Sequence, residues 1–242
     1  MNGYVRNTTY RALEDHDPVA ALVVAGTRIM CDFSGCAFLP DSDTMIVSDL
    51  HLEKGSSHAR HGRMLPPYDT RTTLARLASR IAYWQPQTVI SLGDSFHDRF
   101  AHERIAGHDL EVLSSLMAGR QWVWISGNHD PVPPEGLGGD VAAELHLGPL
   151  IFRHEPSAKD ARGEIAGHLH PAAKVATRAK TVRRPCFATD GERLILPSFG
   201  AYTGGLNIRD RAFAGLFVES RLSALVLGSN RVFHISARNL VA

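Results

Sequence analysis

A chain of 242 residues, 44% of them hydrophobic and 21% charged, can bury a real core, and its ordinary composition excludes a disordered, collagenous or coiled-coil protein. With 26 basic residues against 25 acidic ones the formal charge is +1, so no global field advertises a polyanionic partner and any such surface must be local. Cys31, Cys36 and Cys186 lack the spacing of a disulfide framework or zinc knuckle, and no membrane span or export signal is legible; a cytoplasmic protein is expected.

Residues 1–19 read as a loosely held arm and residues 20–242 as a single domain. Short β-like runs follow at Ala20–Ala25, Thr27–Cys31, Cys36–Leu39 and Thr44–Ser48, with Cys31 and Cys36 expected as hairpin core residues and not as a redox pair. Residues 53–69, with two glycines, Pro66-Pro67 and the cluster His58, Arg60, His61 and Arg63, read as an exposed loop. Asp69 or Thr70 can cap the helix after it, whose Leu74, Leu77, Ala78 and Ile81 form one apolar stripe ended by Pro86. A strand at Gln87–Leu92, a helix at Asp109–Ala118 with Gly119 behind it, and a strand at Gln121–Ile125 complete a β-α-β-α-β series. Beyond the prolines at 131, 133 and 134 the spacing predicts strands at Val141–Leu147, Leu150–Arg153, Glu164–Ala166, Pro185–Thr189, Arg193–Leu196, Phe213–Val218 and Arg231–Ile235, with a hairpin turn at Asp190-Gly191.

Metal-type ligands gather in five short blocks, each at or just after a predicted strand: Asp49-Leu50-His51, Gly93-Asp94, Gly127-Asn128-His129-Asp130, His154, and Gly167-His168-Leu169-His170. Carboxyl ends of strands in an α/β sheet converge on one crevice, so residues distant in sequence can meet there. In an extended chain residues i and i+2 face one side, which predicts that both members of Asp-x-His and of His-x-His reach one centre. Alone, His154 is an ordinary surface or core histidine, Asp94 a helix cap and Asn128-His129 a plain turn; their joint occurrence argues for chemistry. Carboxylates, an amide and imidazoles without thiolate suit manganese, iron, zinc or nickel better than calcium, and so many donors suit two ions better than one. His16, His102, His108, His146 and His234 are read as structural or solvent-facing.

These blocks resemble, in order, the signature of the calcineurin-like metallophosphoesterase superfamily. The resemblance implies an α/β fold, a four-layer α-β-β-α sandwich with two mixed sheets. It implies that Asp49, His51 and His170 hold one divalent metal, that Asn128, His154 and His168 hold the other, and that Asp94 bridges them. It further implies hydrolysis of a phosphate ester by a metal-activated water, with His129 protonating the leaving oxygen or steadying transition-state charge and Asp130 orienting its ring or serving the turn. In the second block His97 stands where the phosphatase form carries an acid, as in the DNA-repair nuclease branch, which makes it a candidate catalytic-site residue near the metals or on the substrate, the alternative being a simple hydrogen-bonding loop histidine.

The segments Ser48–Lys54, Leu65–Asp69, His154-Glu155-Pro156, Gly167–Pro171 and Leu196–Gly200 are similar to the ligase-associated DNA-damage-response phosphoesterase (PdeM) family. That similarity implies a phosphodiesterase or endonuclease working beside a DNA ligase, a helicase and an exonuclease in repair. Independently, residues 171–185 hold Lys174, Arg178, Lys180, Arg183 and Arg184 without an acid, and Lys54, Arg60 and Arg63 lie beside the first block. Arg60, Arg63, Lys174 and Arg178 are therefore candidates for backbone-phosphate binding, although neither run carries aromatics for base stacking. A small phosphodiester, such as a nucleotide or nucleotide-linked lipid, would use the same arginines, and a noncatalytic scaffold of this fold would have an eroded ligand set, which is not the case here.

Overall fold

In the computed structural model, described here over residues 18–63, 65–130, 136–159, 162–176 and 180–241, two β-sheets pack face to face. The first runs β1 (Val19–Val24), β2 (Thr27–Asp32), β3 (Ala37–Leu39), β4 (Thr44–Val47), β5 (Thr88–Leu92), β6 (Gln121–Ile125) and β7 (Asp140–Ala142) in spatial order. Its first four strands are an antiparallel meander, and from β4 onward it is parallel. The second sheet contains β8 (Glu144–Leu147), β9 (Leu150–Arg153), β10 (Glu164–Ala166), β11 (Pro171–Ala176), β12 (Thr181–Thr189), β13 (Arg193–Ile195), β14 (Leu206–Asn207), β15 (Ser223–Leu227) and β16 (Val232–Ser236). Here β10 pairs in parallel with β9 and β13, while most other pairings are antiparallel.

The period-2 alternation of these strands builds the layers. Ile46, Ile90, Leu92, Val123 and Ile125 point inward from the first sheet and meet Leu150, Phe152, Ile165, Phe187, Leu194 and Leu225 of the second. Their neighbours Met45, Val47, Val89, Trp122 and Trp124 point outward, under Leu74, Leu77 and Ile81 of α2 (Asp69–Trp84) and Leu113 and Met117 of α3 (Gly107–Met117). On the far face of the second sheet, Cys186, Ala188, Ile195 and Val226 lie under Ile208, Phe213 and Leu240, a cover built from irregular chain and a 3-10 turn at Arg211–Phe213. Cys31 belongs to the core between the sheets and Cys36 to the outer core, both unbonded, and burial pushes both thiols up. No helix among the described residues is long and apolar enough to cross a membrane.

Several expected elements change. Residues 53–69 are not all loop, because α1 (Lys54–Arg60) forms there. The Asp69 and Thr70 side chains expected to cap α2 serve α1: Gly55 N donates to Asp69 Oδ2 (2.9 Å), while Glu53 N donates to Thr70 Oγ1 (2.9 Å), which in turn donates to Glu53 Oε1 (2.8 Å). The single strand expected at Val141–Leu147 is two, one in each sheet, with the crossing at residue 143. Phe213–Val218 is a 3-10 turn and irregular chain instead of a strand, and β11, β14 and β15 add pairings that the sequence reading did not place. Residues 1–17 of the expected arm and His16 lie outside the described residues, and β1 begins at Val19.

One buried ion pair closes the end of the sandwich away from the ligand-bearing turns. Glu164 on β10 and Arg193 on β13 are register partners, each 1% exposed, with Arg193 Nε 2.6 Å from Glu164 Oε2. The guanidinium also donates to Leu216 O (2.9 Å) and Ser157 O (2.5 Å), and the carboxylate accepts from Ser157 N (2.8 Å). Glu164→Ala would strand a buried guanidinium, so a loss of roughly 3–5 kcal/mol is expected, read as a melting temperature lower by on the order of 10 °C. A melting curve that hardly moves would mean the pair contributes nothing to the fold.

Candidate metal centre

Every one of the five blocks follows a strand end: Asp49 and His51 follow β4, Asp94 follows β5, Asn128 and His129 follow β6, His154 follows β9, and His168 and His170 follow β10. The ends of β4, β5 and β6 lie side by side in the first sheet, and those of β9 and β10 in the second. The blocks therefore converge where the two sheets open.

The backbone of this region is strained. Asp49, His51, Asp94, His168 and His170 all take left-handed conformations, with φ between 43° and 66°. Each costs roughly 1 kcal/mol or more for a residue with a Cβ, a cost that the surrounding packing must hold in place. The expected extended geometry of Asp49-x-His51 and His168-x-His170 is thus replaced by consecutive tight turns. Even so, Asp49 and His51 share one cluster, while His168 and His170 go to different ones, as the family resemblance implies. Two glycines make the turns fit: a Cβ on Gly167 would lie 1.8 Å from Ser48 Oγ, and one on Gly127 would lie 2.2 Å from Asp94 N.

Two clusters of side chains meet metal-site geometry. Asp49, His51 and His170 form one, and Asp94, His154 and His168 the other, their ligand atoms within 4.8 Å of one another in each. In the first, His170 Nε2 is 3.0 Å from Asp49 Oδ1 and 3.4 Å from His51 Nε2. In the second, His154 Nε2 is 3.4 Å from Asp94 Oδ2 and 3.2 Å from His168 Nδ1. Asp94 Oδ2 also lies 3.9 Å from His51 Nε2, so this oxygen faces both clusters.

The donor chemistry fits divalent ions. Asp49 Oδ1 is fully buried against the His170 ring nitrogen, and ring nitrogens approach each other in pairs, which is the arrangement of lone pairs aimed at a shared cation. Neighbouring hydrogen bonds hold these donors in place. His154 Nδ1 lies 2.8 Å from Leu92 O; the tautomer that donates there leaves Nε2 for a ligand role. Ser48 Oγ donates to Asp49 Oδ2, which also accepts from His168 N (3.1 Å). Asp94 Oδ1 accepts from His129 N (2.9 Å).

Electrostatics follow from this crowding. Burial pushes His51 down to about 3, so the ring is neutral and able to ligate. Burial would also lower His154, but its contact with Asp94 and the charges of Asp49 and Asp94 hold it up at about 9, so an entering cation must displace a proton there. For Asp49 and Asp94 burial acts upward, and it is outweighed by the hydrogen bonds and charges of the surrounding histidines, which hold both carboxyls below the usual range.

Above the clusters stands a column of rings. His129 stacks on His97 at 5.4 Å and 17°, His97 on His58 at 5.7 Å and 29°, and both His97 and His129 meet the edge of His51. Burial and the nearby Lys54 charge push His97 down to about 4. Lys54 and His58, four residues apart on α1, bring one face of that helix to the site. Lys54 is expected beside the first block, but His58 reads as part of an exposed loop, and the i, i+4 spacing of the two was the signal that a helix joins them.

The remaining expected residues fall as follows. Asn128 is exposed on the turn between Gly127 and His129. Asp130, read as orienting the ring of His129 or serving the turn, is buried: its Oδ2 accepts from Phe96 N (2.9 Å), and burial with the Asp94 charge pushes it up to about 7. It therefore holds the second block against the third. Arg60 and Arg63 are exposed at and just past the end of α1. Lys174 lies on β11 opposite Arg183 of β12, and Arg178 lies outside the described residues.

The sequence pattern of the calcineurin-like phosphoesterases matches residues 43–184. Among solved structures, Pseudomonas putida nuclease MPE is similar over 90% of this chain and 100% of its own, with a TM-score of 0.69 and 27% identity. Yfce, a phosphoesterase from E. coli, is matched over 80% of this chain and 98% of its own, at a TM-score of 0.39 and 16% identity. No curated protein sequence matches the chain.

Proposed function

Because this chain belongs to the calcineurin-like phosphoesterase family, and with it to the metal-dependent phosphoester hydrolases, we propose that it is a two-metal phosphodiesterase that cleaves nucleic acid. The observation that carries this reading is the meeting of two carboxylate–imidazole clusters at Asp94, directly beside His129 and His97. Asp49, His51 and His170 would hold one ion and Asn128, His154 and His168 the other, with Asp94 between them. Two divalent ions, when bound, acidify water and neutralise charge on phosphoryl oxygens. Manganese is the cation we assign; iron, zinc or nickel would suit the same donors.

The chain's own residues set the rest. His129, with Nε2 3.9 Å from Asp94 Oδ2 and its side chain 49% exposed, is placed to protonate a leaving oxygen. His97, neutral and packed between His129 and His58, places no negative charge beside the substrate, where an acid would repel it. Lys54, Arg60, Arg63, Lys174 and Arg178 are the residues that would hold the neighbouring backbone phosphates. The likeness to a nuclease over nearly the whole chain favours nucleic acid over a small diester. We further propose a single domain over residues 20–242, a cytoplasmic location, and work in repair beside a ligase, helicase and exonuclease, following the family similarity of its sequence segments.

Manganese-dependent hydrolysis of bis-p-nitrophenyl phosphate, of p-nitrophenyl phosphate and of a labelled single-stranded oligonucleotide separates the readings. Turnover of the diester and the oligonucleotide, with little of the monoester, is expected. Diester turnover without oligonucleotide cleavage would favour a small substrate, and no turnover with ions bound would leave only a scaffold.

A further inference from the structure

The basic segment after His170 has no aromatic residue of its own, but the fold supplies one from elsewhere. The chain from Ser198 to Leu206 is tied at one end to the backbone that carries Asp49: Phe199 N donates to Ser48 O (2.8 Å), Gly200 N to Asp49 O (3.1 Å) and Ser198 Oγ to the same oxygen (2.8 Å). At its other end Leu206 N donates to His170 O (3.0 Å). This loop therefore spans from one ligand of the first cluster to another. Its middle is anchored from α2, where Thr73 Oγ1 accepts from Ala201 N (2.9 Å) and Arg76 Nη1 donates to Phe199 O (2.9 Å).

At the tip of this anchored loop stands Tyr202, 46% exposed, with φ at +58°. A bulky residue in left-handed backbone is an outlier, and glycine would sit there without strain. Burial does not explain the tyrosine, because nearly half of it is in solvent. Arg183, exposed on β12, donates to Gly205 O and so joins the base of the loop to the basic hairpin of β11 and β12, where Arg183 faces Lys174 across the strands. The loop that carries this exposed ring is thus bonded at its ends to the backbone of two metal-ligand residues and at its base to Arg183. A ring and a cation held on one loop are the components of a single-strand binding platform, in which the ring takes a base and the cation the backbone.

Resting on the nucleic-acid reading above, we infer that the Ser198–Leu206 loop forms a subsite for one unpaired nucleobase, stacked on Tyr202 with Arg183 at the adjoining backbone. The subsite would select substrates that present an unstacked base next to the cleaved bond, and a duplex would not offer one.

The test compares a labelled single strand with the same strand carrying abasic residues on both sides of a cleavage position, as a ratio of kcat/KM. The wild-type ratio is expected to favour the intact strand by roughly 10- to 100-fold, mainly through KM. Tyr202→Ala and Tyr202→Gly should bring the ratio close to one, and Tyr202→Phe should keep it. Tyr202→Gly also relieves the left-handed backbone, so its melting temperature should equal or exceed that of the wild type, which separates a lost platform from a damaged fold. An unchanged ratio in the Ala and Gly variants, or its loss in Tyr202→Phe as well, would overturn the subsite while the nuclease reading stood. Cleavage of bis-p-nitrophenyl phosphate with no cleavage of either strand would instead overturn the nuclease reading, and the subsite with it.

Discussion

Asp94→Ala should reduce manganese-dependent diester turnover by on the order of 10³-fold or more. Asp94 Oδ2 faces His154 Nε2 at 3.4 Å and His51 Nε2 at 3.9 Å, so its loss takes a donor from one cluster and the link to the other. The protein is therefore expected to retain fewer than two ions per chain, which metal analysis after gel filtration would read directly. Asp94 Oδ1 also accepts from His129 N, and removing that acceptor would loosen the turn that carries His129. Asp94→Asn separates the two effects, because the amide oxygen can still accept that bond while the charge is gone. If Asp94→Asn kept two ions and turnover within about tenfold of wild type, a difference no larger than about 1.4 kcal/mol, the shared role of this carboxylate would be wrong.

His129→Ala is expected to leave the ion content at two, since its ring belongs to neither cluster, and to slow oligonucleotide cleavage by roughly 10²- to 10⁴-fold. The chemistry of the leaving group makes this prediction sharper. A sugar alkoxide is a strong base and needs a proton as it departs, whereas p-nitrophenolate leaves readily without one. A general acid at His129 should therefore matter far more for the oligonucleotide than for bis-p-nitrophenyl phosphate, and the ratio of the two losses is the readout. Equal losses on both substrates would assign His129 to steadying charge on phosphorus, and no loss on either would remove it from the reaction.

The ligand blocks were legible because each is local: a short apolar strand, then a turn carrying Asp, Asn or His. Pairing β4, β5 and β6 in parallel, and β9 with β10, brings those turns together without long-range information beyond strand order. The division of His168 from His170 came from the family resemblance and not from alternation, since Asp49 and His51 have positive φ as well and still share one cluster. Helix α1 was hidden for another reason. Gly55, Ser56 and Ser57 are poor helix formers, and the groups that hold its first turn, Asp69 and Thr70, lie some fifteen residues away. The helix in turn brings His58 against His97, so that contact was hidden with it.

Adjacency to His129 left Asp130 two roles, the ring or the turn, and the carboxylate accepts from Phe96 N, which favours the turn. Val141–Leu147 reads as one strand because its apolar residues run on, yet the chain leaves one sheet and enters the other within it. Tyr202 could not be linked to the basic hairpin from sequence, since only the bonds to Asp49 O, His170 O and Arg183 place the two together.

Two ions working as one centre are the core of the proposed chemistry. Manganese content per chain and diester turnover, measured in the same samples during titration of metal-free protein, test it most directly. Turnover should appear only as the content passes one ion per chain and should level off at two, with Asp94→Ala inactive throughout. Full turnover at one ion per chain, or none at two, would contradict it.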